Sequence, residues 1–221
     1  MPAPDRTLHG NRIGIDESGK GDYFGPLVIA AVFVTPAIEH DLMLMGAKDS
    51  KRLSDARAME MATDIREFCK HSIVAIGPER YNQLYEQIRN LNKLLAWGHA
   101  RALENLLEQA DCPLAISDQF GDERFIRKAL LEKGKQVELV QRHRAEADLA
   151  VAAASILARA EFLRRLKRLS DEIGTTLPKG ASKAVELAAR MVVKKHGRDK
   201  LRTVAKLHFK TTQAVFATEG P

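Results

Sequence analysis

Cysteine is scarce in this chain of 221 residues: there are two, Cys69 and Cys112, far apart in sequence. They form neither a metal-spaced pair nor a disulfide framework, so a reducing compartment is expected, and the cytoplasm with it. No apolar run approaches the length of a membrane span, which predicts no membrane association. The N-terminal residues Met1-Pro2-Ala3-Pro4-Asp5-Arg6 lack the apolar stretch of a signal peptide. Internal repeats and low-complexity segments are missing too. The charge excess is small, 35 Lys plus Arg against 29 Asp plus Glu. Such a balance permits a nucleic-acid partner without demanding one. No feature calls for an obligate protein partner.

What is present begins with Gly14-Ile15-Asp16-Glu17-Ser18-Gly19-Lys20-Gly21-Asp22-Tyr23-Phe24-Gly25-Pro26-Leu27. Two adjacent carboxylates end a short apolar run, a glycine-punctuated turn with a lysine follows, and the apolar run Leu27 to Val34 comes next. Apolar strand, acidic tip, glycine turn and apolar strand make a hairpin pattern. Acids beside a glycine-rich loop suit a metal-dependent site that a phosphate backbone can approach closely. Taken alone, Asp16 and Glu17 read as ordinary turn residues.

The length suits one core: a loose tail over residues 1–10, then a single domain over 11–221. Strands are predicted at Ile13-Gly14-Ile15, Leu27–Val34, Ser72–Ile76, Pro113–Asp118 and Gln136–Val140. The second of these should be buried on both faces. Helices are predicted over about 55–70 behind a Ser54 cap, 90–109, 147–169, and 183–196 between a Ser182 cap and Gly197. Three strands with short connections, followed by alternating strand and helix, imply an α/β fold with a mixed sheet flanked by helices.

Acids recur at strand ends. Asp118 ends the fourth strand, and Asp148 opens the long helix just after Glu146. If these strands are neighbours, the carboxylates meet on one edge of the sheet, where they repel one another unless divalent cations neutralise them. Oxygen ligands without cysteine or paired histidine favour Mg²⁺ or Mn²⁺. Two such ions can activate a water and stabilise the leaving oxygen of a phosphodiester. The plain alternatives are a turn residue for Asp118 and a helix-dipole charge for Asp148. One difficulty is geometric: adjacent strand residues face opposite ways, so Asp16 and Glu17 share a metal only where the strand ends or bulges. The basic stretch Arg159, Arg164, Arg165, Lys167 and Arg168 reads equally as a solvated helix face or as a contributor to polyanion binding.

Residues Asp16 to Leu27 closely resemble the opening motif of the type 2 ribonucleases H, in the ribonuclease HIII variety. Lys48-Asp49-Ser50-Lys51-Arg52-Leu53, Asn90 to His99, Ala152 to Arg159, Leu177 to Ser182 and Ala205 to Phe209 agree with it. The resemblance covers about residues 12–215. It implies a ribonuclease H-like fold, with a mixed five-stranded sheet and a helical C-terminal part. It further implies metal-dependent endonucleolytic cutting of the RNA strand of RNA/DNA hybrids, leaving 3′-hydroxyl and 5′-phosphate ends. The family's four acids carry over as Asp16, Glu17, Asp118 and Asp148, with Glu146 the rival for the last place. They serve as both the catalytic residues and the Mg²⁺ or Mn²⁺ ligands. Gly19, Lys20 and Gly21 correspond to the loop that meets 2′-hydroxyls, the groups separating RNA from DNA. Ser50 and Lys51 correspond to phosphate contacts.

Ribonuclease HIII proteins usually carry an N-terminal substrate-binding domain resembling the TATA-binding protein. Only a short tail precedes the motif here, so the expectation is a catalytic domain without it. The ribonuclease HII alternative, cutting at single ribonucleotides in duplex DNA, relies on a C-terminal tyrosine. The tyrosines here, Tyr23, Tyr81 and Tyr85, all come early. The other alternative is a non-catalytic hybrid-binding module, for which clustered carboxylates bring no benefit.

Overall fold

The computed structural model describes residues 10–143 and 145–217, without the side chains of Asp49 and Lys51. The expected tail, apart from Gly10, lies outside the described residues, as does the Lys51 side chain.

Five strands form one mixed sheet in the order β3-β2-β1-β4-β5. They are β1 (Arg12–Ser18), β2 (Leu27–Val34), β3 (His71–Ile76), β4 (Leu114–Asp118) and β5 (Glu138–Arg142). β1 pairs antiparallel with β2 and parallel with β4, and β4 pairs parallel with β5. The expected mixed sheet is therefore present, and β1 is its centre.

Among the described residues the helices are α1 (Pro36–Leu44), α2 (Asp55–Phe68), α3 (Pro78–Ile88), α4 (Leu91–Leu107), α5 (Glu123–Ala129), α6 (Leu149–Ile173), α7 (Lys183–His196), α8 (Asp199–Val204) and α9 (Lys210–Ala217). Ser54 and Asn90 cap α2 and α4 by accepting from the third backbone N–H along. Ser182 holds the cap position of α7, but its hydroxyl makes no capping bond. Gly197, at φ 84°, ends α7 as its position in the sequence suggested.

The alternation in β2 explains the two layers. Val28, Ala30, Val32 and Val34 join a core with α2, α6 and α7, while Leu27, Ile29 and Ala31 join a second core with α3 and α4. Period-two side chains on a fully buried strand must serve both faces. α6 lies directly along β1. A Cβ on Gly14 would come within 2.0 Å of the Ala150 backbone, so only glycine admits this approach. The contact fixes which part of α6 passes each residue of β1, and it carries Ser155 to the level of Asp16.

Candidate active site

Asp16, Glu17 and Asp118 come together where β1 and β4 end. The parallel register sets Ile15 beside Ser117, which brings Asp16 and Asp118 level. The ladder of β1 with β2 runs unbroken through Ser18. No bulge redirects the two adjacent acids, and they face opposite ways. Asp16 turns to α6, where the Ser155 hydroxyl donates to it, and its Oδ1 also accepts from the Glu17 N–H at 2.8 Å. Glu17 turns to α4. Its Oε2 lies 3.0 Å from His99 Nε2, and its Oε1 accepts from Lys20 Nζ at 2.7 Å.

The electrostatics of this pair diverge. Burial, then the Glu17 charge, push the Asp16 carboxyl up to about 7, and Asp118 adds to the repulsion. Burial would raise Glu17 as well. Hydrogen bonds and electrostatic attraction from His99 and Lys20 overrule it and hold Glu17 down at about 2. Asp118 Oδ1 accepts from the backbone N–H of Ala145 at 3.1 Å. That bond ties the short 3₁₀ turn Ala145–Ala147 to the acid-bearing end of β4.

Asp148 is placed elsewhere. It caps α6 by accepting from Ala150 N at 2.8 Å, and its Oδ2 receives Arg12 Nε at 2.7 Å. Arg12 opens β1, about 13 Å from Asp16 along an extended strand. The reason is the direction of α6, which runs beside β1 in the same sense, so its first residue lies by the start of the strand. The turn bonded to Asp118 contains Glu146, which is half-buried. The geometry thus brings three of the four expected acids together, sets Asp148 against Arg12, and places the turn that contains Glu146 against Asp118.

Two partners had no assigned role in the sequence reading. His99 is fully buried, with Nδ1 3.1 Å from Ser117 Oγ, and that hydroxyl donates to the Asp118 carbonyl at 3.0 Å. The chain Glu17–His99–Ser117–Asp118 links the ends of β1 and β4. A histidine flanked by apolar residues in α4 reads as core from spacing alone, and only the tertiary fold sets it against Glu17.

The ribonuclease HII family pattern matches residues 13–212. This chain belongs to that family. Ribonuclease HIII of Protochlamydia amoebophila is 50% identical over 216 residues, 98% of this chain and 71% of that protein. Ribonuclease HIII of Chlamydia pneumoniae is 44% identical, covering 90% and 68%. Bst-RNase HIII, solved in complex with Mn²⁺, superposes with a TM-score of 0.89 at 32% identity, covering 96% of this chain and 71% of that one. The fold is that of the ribonucleases H, and the chain is a ribonuclease H enzyme.

The loop that follows β1 separates structural from open glycines. Gly19 has φ 88°, and a Cβ there would lie 2.2 Å from the Pro26 carbonyl oxygen. Gly21 has no such constraint, with nothing within 4 Å of an added Cβ. Ser50 is buried, and its hydroxyl has no partner among the described residues. Its carbonyl accepts from Arg159 of α6. No three His, Cys, Asp or Glu side chains among the described residues form a closed metal-holding group. The donor set nonetheless fits a hard divalent cation: it is all oxygen, and Asp16 carries a repulsion that a cation would relieve.

Proposed function

We propose that this ribonuclease H hydrolyses the RNA strand of RNA/DNA hybrids and leaves 3′-hydroxyl and 5′-phosphate ends. The observation that carries the reading is the crowding of Asp16 and Asp118 on one sheet face, where no lysine or arginine among the described residues bonds to either. In a purely structural site such charges would be paired. Asp16, Asp118, Glu17 and Glu146 would hold Mg²⁺ or Mn²⁺. Once bound, the ions supply the activated water and the stabilisation of the leaving oxygen.

The remaining roles belong to the protein's own residues. Ser155 and the Glu17 N–H orient the Asp16 carboxylate, and Ala145 orients Asp118. His99 and Lys20 hold the Glu17 carboxylate at the strand end, on its α4 side. Gly19 shapes the loop. Gly21, with open space around it, lets the RNA backbone come close to Lys20. Ser50 and Lys51 hold a flanking phosphate. The cytoplasm is the proposed setting, consistent with two buried free thiols. No helix among the described residues is long and apolar enough to cross a membrane.

Cleavage of four labelled substrates tests the reading, each with Mg²⁺ and with Mn²⁺: hybrid, single-stranded RNA, duplex RNA, and duplex DNA with one ribonucleotide. Cutting confined to the ribonucleotide run of the hybrid is expected. Cutting at the single ribonucleotide instead would transfer the enzyme to the other specificity. Against that outcome, Tyr23 and Tyr81 are fully buried, and Tyr85 stacks on His208.

A further inference from the structure

Lys206 is fully buried and has no carboxylate within ion-pair distance among the described residues. Its ammonium donates to three backbone carbonyls: Asp22 and Gly25 at 2.7 Å each and Phe24 at 3.4 Å. All three belong to the loop that joins the acid-bearing end of β1 to β2. Burial pushes the amine down, to about 7, against the pull of Asp22. Three accepting carbonyls use all three hydrogens of the charged form. Removing one buried partner from such a set leaves the others unsatisfied, and they must turn to find new donors.

The surrounding bonds make the same junction. Lys206 N donates to Tyr23 O at 2.8 Å, Gly25 N to Val204 O at 2.9 Å, and Tyr23 N to Gly180 O at 2.9 Å. Gly180 N donates to Asp22 Oδ1 at 2.6 Å. Asn82 braces the far side, donating to the Ala205 carbonyl and accepting from Leu207 N. The 22–25 limb of the loop is thus clamped, while Lys20 and Gly21 at its tip are exposed.

We propose that Lys206 is a positioning residue for catalysis: by gathering the Asp22, Phe24 and Gly25 carbonyls it aims the Gly19-Lys20-Gly21 tip at the ribose beside the scissile phosphate. This rests on the proposed role of that tip in meeting the RNA strand. The consequence is a split in the kinetics. The tip acts next to the reacting bond, so its displacement lowers kcat, while contacts elsewhere on the hybrid preserve KM. A misplacement of this kind is expected to cost Lys206→Met about tenfold to a hundredfold in kcat, with KM changed less than about threefold. Mn²⁺ binding to the protein without substrate, followed by titration calorimetry, stays as in the wild type. Lost stability alone would instead lower the folded fraction and leave kcat per folded molecule unchanged.

The decisive experiment measures kcat and KM on a hybrid, the Mn²⁺ isotherm, and amide hydrogen exchange at Tyr23 and Gly25. In the wild type those amides should exchange as slowly as β1, and in Lys206→Met as fast as the tip. A wild type that cuts the hybrid alongside a folded variant with kcat within about threefold overturns the proposal. So does fast exchange at both amides in the wild type. A wild type that cuts no hybrid removes the substrate reading itself, and the positioning role with it. If Lys206→Met does not fold, Asn82→Ala loosens the same segment from outside. It should show the same split at about three- to tenfold, and an unchanged kcat in that folded variant overturns the proposal equally.

Discussion

The two ends of β1 both bury charge, and they treat it in opposite ways. At the start, Arg12 is 1% exposed and lies between Glu39 and Asp148, each at 2.7 Å. The cation and its acids satisfy one another there. At the other end Asp16 meets Glu17 and Asp118, and its carboxyl is driven up to about 7. One end has the bonding expected of a structural ion pair. The other retains repulsion that the fold does not relieve, as expected of a site waiting for a ligand. Breaking each end should therefore damage different properties.

The largest separation is expected between Asp16→Asn and Arg12→Met. Asp16→Asn should lower hybrid cleavage by roughly a thousandfold or more, with hybrid binding retained. Arg12→Met leaves two carboxylates without their cation and should cost about 3–5 kcal/mol of stability. Its surviving folded fraction should cut at the wild-type rate. Cleavage assays beside urea melts check both, and the comparison collapses if Asp16→Asn remains active.

Glu146 and Asp148 sharpen the contrast, because they lie two residues apart, Asp148 bonded to Arg12 and Glu146 in the turn bonded to Asp118. Glu146→Gln should lose at least about a hundredfold in activity while remaining folded. Asp148→Asn should lose about 1–3 kcal/mol of stability while retaining its kcat. The reverse order would put Asp148 at the metals despite its bond to Arg12.

Proton linkage gives a subtler test in the metal-free protein. The folded Asp16 holds its proton up to about 7, against an ordinary carboxyl value of 3.8. The folded state therefore binds more protons than the unfolded chain between those limits, and this site's stabilisation is lost as pH rises through about 7. Glu17 is shifted the other way, to about 2 from 4.5, so its contribution is complete above the ordinary glutamate value. Of these two acids only Asp16 changes from pH 5 to 7, and groups such as His208, which burial holds down at about 4, change alike in the wild type and in Asp16→Asn and cancel from the comparison. The wild type should then lose thermal stability relative to Asp16→Asn, and Mn²⁺ should restore it above pH 7. Parallel melting curves across that interval would refute the strained carboxyl.

Much of this was legible in the sequence. The five strands and the mixed sheet follow from apolar runs and connection lengths, and Asp16, Glu17 and Asp118 lie at strand ends as expected. α1, α3 and α5 were not anticipated. Two of them start at Pro36 and Pro78, in the first helical turn, where proline is favoured. That Asp148 pairs with Arg12 was not legible either. It depends on how far α6 slides along β1, which the contact of Gly14 with Ala150 sets. The role of Lys206 was hidden because its partners are carbonyls 181 to 184 residues away, and backbone atoms leave no mark on the sequence.

The smallest effect is expected on α6, where the basic stretch offered two readings. Arg164 and Arg165 both bond Glu161, whose side chain is 7% exposed, and Arg66 joins them from α2. Burial would raise Glu161, but these arginines hold it down at about 2. Lys167 and Arg168 pair with Asp171 and Glu172 one turn later. Arg159 bonds Asp55. Each of these cations thus has a carboxylate partner, and phosphate contact would require giving it up. Replacing Arg164 and Arg165 by Gln should leave the slope of log affinity against log salt changed by less than about one unit. It should also lower the melting temperature, because Glu161 loses two of its three partners. A slope reduced by nearly two units, with unchanged melting, would return both arginines to the substrate. It would also show that pairing in the free enzyme does not exclude a phosphate contact in the complex.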